Sequence, residues 1–272
     1  MFSKLDLPTQ QILDVSITAL AFNEYMQTIM RWAQQHQTKN VCVANVHMLM
    51  EAHWNPEFAH ILEDADIVTP DGMPLVWMMR QRGLFNQERV AGLDILRALC
   101  QLAQAENVSV FFVGSQRQIL EGMKAQLKQE FPLLKIAGME PLPFLSVTQV
   151  IQEEDIEIIQ KINKSEAGLV FVSLGCPKQE YWMAKHKGKI QAVMIGLGGA
   201  FPVYAGIRKR APAWVRNLGC EWLVRLAQDP KKLAGRYLKT NTIFILMVLK
   251  RFLLRTLHTV PENALTSIKR FH

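Results

Sequence analysis

The chain has 272 residues, 49% of them hydrophobic, enough to bury a substantial core in one large α/β domain or in a domain of about 200 residues with an appendage. A formal net charge of +7 calls for an anionic partner, whether nucleotide phosphate, lipid diphosphate, anionic membrane or nucleic acid. Cys42, Cys100, Cys176 and Cys220 are scattered, with no Cys-x-x-Cys pair and no histidine at ligand spacing, which speaks against a zinc site or disulfide framework and for a reducing cytoplasm.

Met1–Ser16 places Lys4, Asp6 and Asp14 among its apolar positions and so lacks a signal-peptide core. No segment reaches the roughly 20 apolar residues of a membrane span. Asn40–Ala44 reads as a buried strand, and Phe58–Leu62 carries helical periodicity. Ile67-Val68 runs into Thr69-Pro-Asp-Gly72, where proline and glycine stop a strand and project Asp71 from its C-terminal end. Helical spacing follows over Leu93–Ala105, then a strand over Val108–Val113 with an exit at Gly114, then helical spacing over Ile119–Gln129. Pro141–Thr148 reads as a loop and Ile156–Ile162 as a helix. Gly168–Leu174 and Gln191–Ile195 read as strands on either side of a helix opened by Pro177 and running to Lys187. Short apolar runs alternating with amphipathic stretches predict a Rossmann-like, mainly parallel sheet with flanking helices.

The composition shifts near Gly206, dividing the expectation into an α/β core over 1–205 and a basic helical appendage over 206–272. In its first half, Arg208, Lys209, Arg210, Arg216, Arg225, Lys231, Lys232, Arg236 and Lys239 face only Glu221 and Asp229. Ile243–Leu257, with Lys250, Arg251 and Arg255, then combines an apolar and a basic face. Such a helix either lies in an anionic membrane interface or docks on its own core or a sister copy.

Candidate chemistry clusters at the strand ends, where ligands of open α/β sheets bind. Alone, Asp71 reads as a solvated turn aspartate. Gly196-Leu-Gly-Gly-Ala-Phe201 departs from a dinucleotide fingerprint at Phe201 and has no βαβ unit after it, so a nicotinamide cofactor is a weak reading. Asp64-Ala-Asp66 has the form of a metal-binding Asp-x-Asp but belongs to a helix end, so neither metal nor cofactor is expected. Gly175-Cys-Pro-Lys-Gln-Glu180 opens a helix whose free amides can meet an anion or a sugar hydroxyl, bringing Gln179 and Glu180 to the edge that carries Asp71.

In order and spacing, Asn45, Pro70-Asp71-Gly72, Arg89-Val-Ala-Gly92 with Asp94, Gly175-x-Pro-Lys-Gln-Glu180, Gly198-Gly-Ala-Phe201, Gly206, Arg210-Ala-Pro-x-Trp214 and Glu221-Trp-x-x-Arg225 resemble the WecG/TagA/CpsF family of bacterial glycosyltransferases. The resemblance runs from about Val41 to Tyr237. It implies an inverting, metal-independent transferase that moves a sugar of the N-acetylmannosamine type, or a related hexose, from a UDP-sugar to an undecaprenyl-diphosphate-linked acceptor. The work would be done on the cytoplasmic face of the inner membrane in cell-surface polysaccharide synthesis. By the same resemblance Asp71 is the catalytic base, while Asn45, Arg89 and Gln179 line the sugar-nucleotide pocket. Gly92, Glu180 and Gly198 fall in its motifs, and Arg210, Arg225 and Arg236 belong to the appendage that completes the site; Gly114, outside those motifs, is a strand exit that either holds phosphate or simply packs. Val43 stands where many members have threonine and Pro202 where many have aspartate, which bears on the choice of sugar.

Two other classes compete. A non-catalytic module binding nucleotide or a partner would keep the glycines and arginines without needing Asp71. A nucleic-acid binder would interleave aromatics with basic residues on strands, which this chain does not do.

Overall fold

Strand residues alternate between two apolar faces, and both faces are covered. In the computed structural model, which describes residues 7–143, 145–153 and 155–258, six strands form one all-parallel sheet in the order β4-β3-β8-β7-β5-β6. A separate antiparallel hairpin of β1 (Thr9–Ile12) and β2 (Val15–Thr18) precedes it. The sheet strands are β3 (Lys39–Ala44), β4 (Ile67–Pro70), β5 (Val110–Gly114), β6 (Ile136–Glu140), β7 (Leu169–Ser173) and β8 (Val193–Gly196).

On one face Val41, Phe112, Phe171 and Ile195 meet helices α1 (Phe22–Gln34), α5 (Gly92–Ala105), α6 (Arg117–Glu130) and α10 (Ala200–Tyr204). On the other, Cys42, Val113, Val172 and Met194 meet α2 (Val46–Trp54), α3 (Pro56–Asp64), α4 (Met73–Arg80), α7 (Val147–Gln152), α8 (Ile156–Lys164) and α9 (Lys178–His186). Burial on both faces explains why β3, β5, β7 and β8 read as continuous apolar runs.

The chain after β3 turns to one face through α2, whereas the chain after the neighbouring β8 turns to the other through α10. Adjacent strands whose connections part in this way open a crevice at their C-terminal ends. Beyond it, α11 (Ala213–Asn217), α12 (Glu221–Gln228) and α13 (Pro230–His258) complete the chain.

Helix α13 packs along α2, burying Phe244 and placing Lys239 Nζ 4.2 Å from the centre of the Trp54 ring. It therefore docks on its own core by one face while Ile245, Leu246 and Leu249 remain exposed on another. Side chains are described in α13 only up to Lys250 and not at Lys232, so the expected basic face at Arg251 and Arg255 lies outside the described side chains.

Three elements depart from the sequence reading. The β1–β2 hairpin turns at Leu13, a buried leucine at φ +52°, where no glycine or asparagine announces a turn. Strand β6 contains Gly138, which resembles a breaker, yet an added Cβ there would sit 2.2 Å from the Phe111 ring, so close packing demands the glycine. The expected loop at Pro141–Thr148 ends early, because Ser146 caps α7 with its hydroxyl on Gln149 N–H at 3.2 Å. No helix among the described residues is long and apolar enough to cross a membrane.

Candidate active site

Asp71 leaves the end of β4 with its N–H on Ala44 O at 2.8 Å, which ties the turn to the end of β3. Asn45 follows β3 as the N-cap of α2 and accepts Met48 N–H at 3.2 Å through Oδ1. From β7 the chain passes through Gly175 into α9, and Gln179 lies against Gly196 and Gly198 at the end of β8. Four strand ends thus build one polar cavity of about 280 Å³. Of the residues singled out in the sequence, Asp71, Asn45, Arg89, Gly92, Gln179, Gly198, Arg210, Arg225 and Arg236 line it.

Two others are placed elsewhere. Gly114 does not line the cavity; at φ +87° it abuts Ser173 O, which an added Cβ would meet at 2.8 Å, so packing explains it. Glu180 is fully buried behind the wall, where its Oε1 accepts Gln179 Nε2 at 2.7 Å and burial pushes its carboxyl up to about 7. That bond orients Gln179, whose own Oε1 has no partner among the described residues. Of the two departures from the family pattern, Val43 lines the cavity and Pro202, in α10, does not.

An ion-pair lattice joins residues after Gly206 to the strand ends at this cavity. Arg89 Nη1 lies 3.1 Å from Glu221 Oε2 and 3.5 Å from Asp71 Oδ1, and its Nη2 lies 3.7 Å from Asp94. Arg225 grips Glu221 through Nε at 3.1 Å and Nη2 at 2.7 Å, while Arg210 pairs with Asp94. Arg236 lines the cavity and makes no salt bridge among the described residues. Seven basic residues line the wall, Arg89, Lys178, Arg208, Lys209, Arg210, Arg225 and Arg236, against two acidic ones, Asp71 and Glu221. The surplus suits a diphosphate.

Asp71 is only 17% exposed, and burial followed by the charge of Glu221 pushes its carboxyl up to about 6 against the pull of Arg225 and Arg89. Burial acts the same way on Glu221, yet Arg225, Arg89 and Arg210 hold that carboxyl below its usual range. The two carboxylates are thereby separated into an ion-pair anchor and a group poised near neutrality to take a proton. No described side chain donates a hydrogen bond to the Asp71 carboxylate; the nearest cation is Arg89 at 3.5 Å, whose Nη1 donates to Glu221 instead.

Asp66, the second acid of the Asp-x-Asp sequence, sits at the opposite end of β4. Its carboxylate binds Lys39 at 3.0 Å, Lys187 at 2.9 Å and Asn40 N–H at 2.9 Å, and these contacts account for it structurally.

A second cavity, about 580 Å³, adjoins the first and shares Asn45, His47, Asp71, Arg89, Glu221, Arg225, Arg236 and Tyr237 with it. Asp71 stands at the junction. Sequence reasoning did not assign His47, Glu221, Trp77 or Tyr237 to the site. The Glu221/Arg225 pair was legible as an i,i+4 pair on one helix face. His47, pushed down to about 4 by burial and by Arg236, is a neutral wall residue that only the fold brings there.

The profile of the glycosyl transferase WecG/TagA/CpsF family matches residues 10–258. The chain belongs to that family. A Bacillus spizizenii protein named N-acetylglucosaminyldiphosphoundecaprenol N-acetyl-beta-D-mannosaminyltransferase is 30% identical to this glycosyltransferase over 83% of the chain and 84% of the relative. Proteins with the same name from Bacillus subtilis and Staphylococcus aureus are 29% identical over 70% and 72%, and 26% identical over 88% and 91%, of chain and relative respectively.

Proposed function

We propose that this enzyme transfers an N-acetylmannosamine-type sugar from a UDP-sugar to an undecaprenyl-diphosphate-linked sugar, inverting the anomeric centre without a metal. The observation that carries this reading is the position of Asp71 between a small cationic cavity and a larger apolar one. The names of the relatives supply the sugar and the lipid-linked acceptor.

The donor occupies the cationic cavity. Its diphosphate meets Arg236 and Arg225 together with first-turn amides of the helices that open at the strand ends, and the unpartnered Gln179 Oε1 accepts a donor N–H or hydroxyl. The acceptor hydroxyl enters from the other side, Asp71 takes its proton, and the freed electron pair attacks the anomeric carbon as the bond to UDP breaks. UDP departs with the electron pair of the broken bond, and the arginines stabilise the charge it develops. One displacement inverts the centre.

Residues 206–258 act as an appendage that completes the site, since Arg210, Glu221, Arg225 and Arg236 all come from it. The enzyme works as a peripheral protein at the cytoplasmic membrane face, held by the exposed side of α13. The test is transfer from a panel of UDP-sugars to a short-chain lipid-diphosphate sugar, with Asp71→Asn alongside. Transfer by the parent and a loss of about 10²- to 10⁴-fold in the variant support the reading; undiminished transfer in the variant overturns it.

A further inference from the structure

The larger cavity has a polarity gradient. Its inner end carries Asp71 and Arg236, whereas its walls are Met73, Trp77 and Met78 from α4 and, from α13, Phe244, Val248 and Leu249. At its mouth Trp77, Ile245 and Leu249 are half exposed, an arrangement that costs free energy unless an apolar partner covers them. Arg216 lines this cavity and not the cationic one, and its Nε is buried with no partner among the described residues.

We propose that this cavity binds the first isoprene units of the prenyl chain of the acceptor, with the adjoining diphosphate against Arg216 and the sugar reaching inward to Asp71. The inference rests on the reading of the enzyme as one that uses a lipid-diphosphate acceptor. Three observations select a single prenyl chain as occupant. The space is a cleft with walls from α4 and α13, so it fits a chain rather than a flat bilayer face. At about 580 Å³ it is in the size range of ligand pockets. Apart from Arg216, its charged lining residues are those it shares with the cationic cavity, which orients an amphiphile with its head toward Asp71 and its tail running out along α13. Substrate recognition and membrane attachment then share one helix, with the half of α13 that lines the cavity guiding the chain from bilayer to site.

The experiment measures binding of farnesyl diphosphate and of inorganic diphosphate to the full chain, by calorimetry and by quenching of the tryptophan fluorescence to which Trp77 and Trp222 contribute. UDP serves as a separate ligand. Farnesyl diphosphate should bind about tenfold or more tightly than inorganic diphosphate. Val248→Asp should abolish that preference and leave UDP affinity as in the parent. Met78→Asp, on the opposite wall, gives the same test without altering α13, and thermal unfolding verifies that each variant folds.

If the parent binds UDP but shows no preference for the farnesyl compound, or if both variants retain the preference, the cavity is not a prenyl site. If neutral phosphatidylcholine vesicles abolish farnesyl binding by occupying the same walls, the bilayer is the occupant and the proposal is overturned. Failure of the parent to bind UDP would instead strike the functional reading on which the proposal rests.

Discussion

Replacing Asp71 with asparagine should make the protein more stable while it destroys turnover. Burial and Glu221 push the Asp71 carboxyl from 3.8 to about 6 in the folded protein. The folded state therefore binds more protons than the unfolded state between pH 4 and 6, so stability falls as pH rises through that window and remains lower above it. At about 1.36 kcal/mol per pKa unit, holding Asp71 ionised at neutral pH costs on the order of 1–3 kcal/mol. Asparagine keeps the shape and removes the charge, while Arg89, Arg225 and Arg210 each keep a carboxylate partner in Glu221 or Asp94. Denaturant unfolding of parent and variant from pH 3.5 to 8 should show a gap of that size at pH 8 that closes below pH 4. The rate profile follows the same group: kcat/KM of the parent should fall as pH drops through about 6, not through the range of an ordinary aspartate. Equal stability of the two proteins at every pH would refute the argument that burial and Glu221 tune the base.

Three further outcomes are expected. Arg236→Ala removes a cation of the cavity wall that has no carboxylate partner among the described residues; it should raise KM for the UDP-sugar or lower kcat by about 10- to 100-fold, with thermal stability near that of the parent, as steady-state kinetics and calorimetry will show. Gly196→Ala would place a Cβ 2.9 Å from Gln179 Nε2 and 3.0 Å from Met183 Cε; displacing Gln179 from Glu180 should raise donor KM about tenfold and cost about 1–3 kcal/mol in an unfolding titration. Transfer measured in excess EDTA should match the untreated rate, because arginines carry the diphosphate charge, and a strict need for added magnesium would show the opposite.

The sheet was legible because its strands are buried on both faces: Asn40–Ala44 and Gly168–Leu174 needed no knowledge of their neighbours to be read as strands. Asp71 was legible for a local reason too, since proline and glycine around it dictate a turn at a strand end. Pairing order was not legible, and it decides the site: β8, last in sequence, inserts between β3 and β7, bringing Gly198 beside Gln179 and opening the crevice next to Asp71. Burial decided the chemistry of the carboxylates. Sequence alone makes Asp71, Glu180 and Glu221 equivalent acids, yet enclosure raises the first two and three arginines lower the third. The fold also separated residues that sequence had grouped, sending Gly114 to a packing contact and Glu180 behind the wall, where it orients Gln179. The apolar cavity has no sequence signature, because Met73, Trp77 and Met78 on α4 meet Phe244, Val248 and Leu249 on α13 only when α13 folds back along α2. Local patterns determine which segments become strands and turns; long-range packing decides which charges share an enclosed space, and the field in that space sets what each can do.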